Sequence, residues 1–127
     1  MEGVLIARVG LALAGLALAL QAFAHGEHLP RYGGVVEVSK DITYELVAGE
    51  QGVVIHVEDH GNPVPTAGVT GRLVVVDGSR RSESRLEAAG GNRLLAKDAR
   101  LGRGQQATAV LSMPSGRAVV LQYPRRD

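Results

Sequence analysis

From Gly33 onward the chain is a series of short valine-rich runs, each closed by glycine, proline or another turn former. This punctuation restricts the fold more than any other feature, because such runs are too short and too β-branched for helices. "GVVEV" (Gly34–Val38) comes first. "ITYELVA" (Ile42–Ala48) alternates, with Ile42, Tyr44, Leu46 and Ala48 on one face and Thr43, Glu45 and Val47 on the other. "GEQG" (Gly49–Gly52) reads as a tight turn into "VVIHVED" (Val53–Asp59). "HGNPVPTAG" (His60–Gly68) holds too much Gly and Pro for regular structure. "VTGRLVVVD" (Val69–Asp77) is the most apolar run, and Asp77-Gly78 signals a hairpin into "RRSESRLEA". "GGN" (Gly90–Asn92) turns the chain into "RLLAK", and a Pro-Ser-Gly turn joins "QATAVLSM" (Gln106–Met113) to "RAVVLQY" (Arg117–Tyr123). "ESRLEAAGGNRLLAK" contains helix formers, but Gly90-Gly91 interrupt it. The expectation over residues 34–127 is one all-β domain, an immunoglobulin-like β-sandwich of about seven or eight short antiparallel strands. There is no Cys pair or Trp to mark a true immunoglobulin domain.

The first 24 residues follow a different pattern. Val9 to Leu20 are only Leu, Ala, Val and Gly, and Ala22-Phe23-Ala24 has the small-x-small form that signal peptidase accepts. The apolar stretch falls short of the roughly 20 residues that span a bilayer, and no cationic stop-transfer segment follows. Arg8 is the only basic side chain ahead of it, opposed by Glu2. The expectation is a signal peptide over 1–24, cut after Ala24, with the product free in the periplasm and no membrane anchor left. The chain has no cysteine, hence neither a lipid-anchor site nor a disulfide. With a net charge of +1, nothing favours a general electrostatic grip on nucleic acid or an anionic membrane.

Four histidines, His25, His28, His56 and His60, are the chief departure from a plain β-domain. Cleavage after Ala24 makes His25 the first residue of a flexible tail, 25–33. Its α-amine and imidazole can then close a six-membered chelate ring on one metal ion. An α-amine titrates at about 7.7–8.0, so a metal displaces its proton near neutral pH. His28 follows three positions on, past the pliable Gly26, with Glu27 as an optional oxygen. Imidazole and amine nitrogens suit copper(II), nickel or zinc, and the Irving–Williams order puts copper(II) first. The plain alternative is a polar tail that binds nothing. In "IHVEDH", Ile55 and Val57 point inward while His56 and Glu58 point outward. His60 begins the loop and can approach a folded-back amino terminus, which makes it the third candidate ligand. His56 reads more simply as a residue of a polar strand face.

Arg80, Arg81 and Arg85 lie in one run with Glu83 and Glu87 between them, the pattern of a solvated strand face. Docking to an acidic partner is the functional reading of the same residues. Nothing points to an enzyme. There is no Gly-x-Ser-x-Gly elbow, no His-Glu-x-x-His helix and no glycine-rich phosphate loop. "HGEH" is one residue too short for the zinc-protease string.

Together, "GGVVEV…YELVAGEQGVVIHVEDHGNPVPTAGVTGRLVVVDG" and "GGNRLLAK" resemble small periplasmic proteins linked to heavy-metal efflux. They also resemble the amino-terminal region of periplasmic adaptor subunits of heavy-metal efflux pumps. The most specific part is Asp59 to Gly71. In that group a histidine commonly precedes the two glycines, whereas Tyr32 stands ahead of Gly33 and Gly34 here. A weaker likeness is to CopC-type copper carriers, small β-sandwiches that use the terminal amine of a first-position histidine. These resemblances imply a metal-handling context, with a component of an efflux system as the partner. The combined expectation is a periplasmic protein that buffers or delivers copper(II) or zinc through His25, His28 and His60. The rival is a metal-free interaction module docking onto a cell-envelope protein.

Overall fold

The computed structural model describes residues His28–Arg125, so the leader over 1–24 and His25 lie outside the described residues. The described chain is all β: β1 (Val35–Ser39), β2 (Ile42–Gly49), β3 (Gly52–Asp59), β4 (Asn62–Pro63), β5 (Thr70–Asp77), β6 (Arg80–Ala88), β7 (Arg93–Lys97), β8 (Gln106–Ser112) and β9 (Ala118–Tyr123). Each valine-rich run has become a strand. The segment expected to lack regular structure departs from that reading only at β4. There His60 and Gly61 both take positive φ, 50° and 83°. That is the handedness of a two-residue hairpin turn, and it folds Asn62 and Pro63 back against Asp59 and Glu58. Proline is tolerated in this position because β4 lies at an edge.

All pairings are antiparallel, in the order β1-β2-β3-β7-β6-β5-β8-β9, with β4 beside β3. Strands β5, β6 and β7 follow one another, and β8 returns to lie beside β5, which is a Greek key. The single sheet curls over so that β1 comes alongside β9, a sandwich-like and nearly closed barrel. Alternation fills it. Val119, Leu121 and Tyr123 of β9 are buried between exposed neighbours, and they meet Tyr44, Leu46, Ile55, Leu73, Leu86 and Leu94 in one core.

The two ends of the barrel wall are built differently. The loop after β4 is tied down rather than loose. Thr66, 1% exposed, donates its N–H to Gly91 O (3.0 Å) and its hydroxyl to Arg93 O (2.7 Å). Asn92 Nδ2 donates to Val57 O (3.0 Å), and Val57 N–H returns to Asn92 O (2.9 Å). In contrast, β6 pairs with β5 from Arg80 to Glu87 but with β7 only at Glu87↔Leu95 and Ala88↔Leu94. The seam between β6 and β7 therefore opens away from that end.

The curl is fastened by Tyr123, whose buried hydroxyl donates to Tyr44 O across 3.0 Å. Burial, then the nearby Glu37 and Tyr44, push its phenol far above the usual tyrosine range. Tyr123→Phe keeps the ring and removes one buried hydrogen bond, so urea unfolding should show a loss of about 1 kcal/mol. An unchanged midpoint would mean that the hydroxyl does not fasten the barrel.

Candidate functional site

The outer face of β2 and β3 carries an unusual load of polar groups. The hairpin turn between Gly49 and Gly52 fixes the register, which sets Glu45 opposite His56 and Thr43 opposite Glu58. Glu45 points away from the core, yet it is only 4% exposed. The segment just before β1 covers it. Glu45 Oε1 accepts the N–H of Arg31 (2.7 Å), and Oε2 accepts those of Tyr32 (2.7 Å) and Gly34 (2.9 Å). Clustered main-chain donors around one carboxylate form an anion nest, and hydrogen bonds to an ionised acceptor are the strong kind.

The two glycines make this wrapping possible. Gly33 has φ 73°, which bends the chain around the carboxylate. A Cβ on Gly34 would collide with the Leu46 carbonyl and meet Val47 Cγ2 at 2.9 Å. The "RYGG" string thus reads, in three dimensions, as a strap closed over Glu45. Residues 31–33, expected to belong to the tail, are held at this point.

The strap then shapes its surroundings. The Tyr32 ring stacks on His56, with centroids 3.8 Å apart and planes 13° from parallel. Desolvation is the main cause that holds the His56 imidazole below its ordinary 6.5; Arg93 adds to it, while Glu45 and Glu58 oppose. His56 is therefore a covered, neutral ring near pH 7, unlike the exposed strand-face residue suggested by its sequence position. Arg31 crosses the strap, with Nη1 3.5 Å from Glu58 Oε2 and 3.3 Å from the Gly61 carbonyl it donates to. Glu58 is 8% exposed, and Thr43 Oγ1 donates to its main-chain oxygen (3.1 Å).

At the strap's upstream end lies a surface cleft of about 290 Å³. It is lined by His28, Leu29, Arg31, Thr43, Glu58, His60 and Gly61. Two of the three sequence-nominated residues, His28 and His60, thus border one cleft, although they are 32 positions apart. The third, His25, lies outside the described residues. His60 sits in the positive-φ turn with its Nδ1 2.6 Å from Asp59 Oδ1. A carboxylate beside one ring nitrogen is the arrangement that commonly orients metal-ligating imidazoles. Among the described residues no group of three or more His, Cys, Asp or Glu side chains is gathered to hold a metal. The two histidines alone do not make a site, and the Arg31 guanidinium beside them repels cations.

The residues that sequence reasoning passed over are Glu45 and Tyr32. For Glu45 the signal was present: once Glu50-Gln51 is accepted as a two-residue turn, Glu45 must face His56. Removing the nest should show its worth. Glu45→Ala leaves three main-chain donors without their acceptor and should cost about 2 kcal/mol. It should also expose the amides of residues 31–34 to rapid hydrogen exchange; retained protection would mean that something else holds the strap.

His56 supplies a pH prediction. Its folded pKa lies below the unfolded value, so the unfolded chain binds more protons between the two. Its contribution to stability is complete above about pH 6.5 and is lost as the pH falls through the folded pKa. NMR titration of the ring should give a midpoint below the ordinary 6.5, and Tyr32→Ala should move it upward. A midpoint unaffected by Tyr32→Ala would contradict burial as the cause.

Compared with known proteins, the chain matches no family model, no curated protein and no solved structure.

Proposed function

We propose that the protein is an exported, periplasmic metal-binding protein that buffers copper(II), or secondarily zinc, or hands it to a component of a heavy-metal efflux system. The ligands in this reading are the α-amine and imidazole of His25, released by cleavage after Ala24, together with His28 and His60. The observation that carries it is the shared cleft: His28 and His60 border one opening, with Asp59 set to orient the His60 ring.

Chain reach supports the same assignment. Residues 31–34 are pinned at Glu45, and His28 lies three residues upstream. Another three residues lead to His25, at most about 11 Å of extended chain. A new amino terminus is therefore at most that far from His28, which borders the cleft, without unfastening the strap. The amine is needed because two imidazoles next to a guanidinium are a poor cation site, whereas an amine-imidazole chelate plus two further imidazoles is a nitrogen set suited to copper(II). The resemblance to efflux-linked periplasmic proteins and to CopC-type carriers supports the context of efflux and delivery. The rival, a metal-free module docking onto an envelope protein, would use the loop after β4, which Thr66 and Asn92 hold in one conformation while Pro65, Ala67 and Gly68 stay exposed. It also has a strand edge.

Titration of the purified protein with copper(II) separates the two. The expected result is a visible d–d band with one equivalent bound, abolished by His25→Ala and weakened about tenfold or more by His60→Ala. Arg31→Gln should tighten binding by removing the neighbouring charge. Binding no tighter than that of an ordinary surface histidine, or binding indifferent to His25, would overturn the reading.

A further inference from the structure

We propose that β6 is a self-complementary strand edge through which two copies of this chain pair. The open seam carries this, independently of the metal reading. On the side away from β5, the described residues place no strand against Arg80–Leu86. The hydrogen bond from Ala89 N–H to Arg93 O shows which residues aim their main chain at the seam. By the two-residue alternation of an antiparallel ladder, these are Arg81, Glu83 and Arg85.

The side chains on that stretch explain why it stays open within one chain. Arg80, Ser82 and Ser84 sit on the inward-facing positions of β6, where β-barrels normally carry apolar residues, and they border a cleft of about 580 Å³ with Ala99, Arg100 and Gln105. Nothing apolar draws β7 across. On the outward face, Arg81, Glu83, Arg85 and Glu87 alternate in sign, with Arg81 Nη2 2.8 Å from Glu83 Oε1.

That alternation selects a partner. A second β6, running antiparallel about a two-fold axis through Ser82, sets Arg81 opposite Glu83 of the other copy and Glu83 opposite its Arg81. Both pairs are oppositely charged. Both are also main-chain hydrogen-bonded pairs, because the same residues aim their N–H and C=O outward. The register centred on Glu83 satisfies the main chain too, but it sets Arg81 against Arg85 and Glu83 against itself. The register centred on Ser84 needs the space beside Glu87, which Leu95 of β7 already fills. Charge and occupancy leave the Ser82 register. An edge of charged residues resists strands of other sequence, so the same pattern that admits a second copy discourages unspecific pairing.

The test is sedimentation equilibrium of the purified protein with a chelator present, so that metal cannot bridge copies. Concentrations should run from about 10 µM to about 1 mM, the range in which so small an interface dissociates. The expected result is a reversible monomer–dimer equilibrium. Arg81→Glu and Glu83→Arg each create two like-charge pairs and should weaken association at least about tenfold. The double variant, R81E with E83R, should restore it. Circular dichroism checks that each variant folds, and the two single variants and the double variant serve as independent readings. A monomer at every concentration, a dimer indifferent to both single reversals, or a double variant as weak as the singles would overturn the proposal.

Discussion

The buried carboxylate of Glu45 is the constraint on which the local architecture depends. An anion on the outer face of a sheet is ordinarily left to water. Here three main-chain N–H groups replace the water, and the chain that supplies them becomes a strap across β2 and β3. The exchange works in both directions. The carboxylate gains three main-chain donors, and a segment with no strand partner of its own gains a fixed place. Everything nearby depends on that contact. Tyr32 is delivered onto His56, Arg31 onto Glu58 and the His60 turn, and His28 to the rim of the same cleft. Without the nest these residues would be separate features of a strand face and a loose terminus.

The barrel beneath it needs less specificity. Valine-rich strands bury one face by alternation, Tyr123 bridges the curl to β2, and Thr66 and Asn92 hold the connection after β4 against the β6–β7 turn. These polar contacts are few but buried, where an unmet partner is costly. They make the frame rigid at the end where the strap lies. The opposite edge is different: β6 leaves β7 after two paired residues, and the polar inward positions Arg80, Ser82 and Ser84 face a water-accessible cleft rather than core.

Most of the fold was legible because strand alternation and turn chemistry are local. "ITYELVA" announces its buried face, and Asp77-Gly78 announces its hairpin. β4 was missed because His60-Gly61 is an uncommon member of the turn pairs with positive φ, with histidine where asparagine is usual. The strand order was not legible, since nothing local tells β8 to return beside β5. Of the candidate cleft, two bordering residues were legible and their assembly was not. His28 and His60 could be named as candidates, but their meeting depends on Glu45 capturing a distant backbone. Backbone donors leave no trace in residue identity, except in the two glycines that let the chain bend and lie close. The pairing of Glu45 with His56 was derivable from the "GEQG" turn; the strap over them was not.

In the proposed reading, the strap holds His28 at the cleft, and cleavage after Ala24 would supply the amine that completes a site there. The most direct test compares copper(II) affinity, by competition with a chromogenic chelator, between protein beginning at His25 and the same protein with that α-amine acetylated. Acetylation leaves every imidazole in place and turns the coordinating amine into an amide. The expected result is a loss of affinity of about a hundredfold or more for the acetylated form. Equal affinity in the two forms would contradict a site completed by the amine of His25.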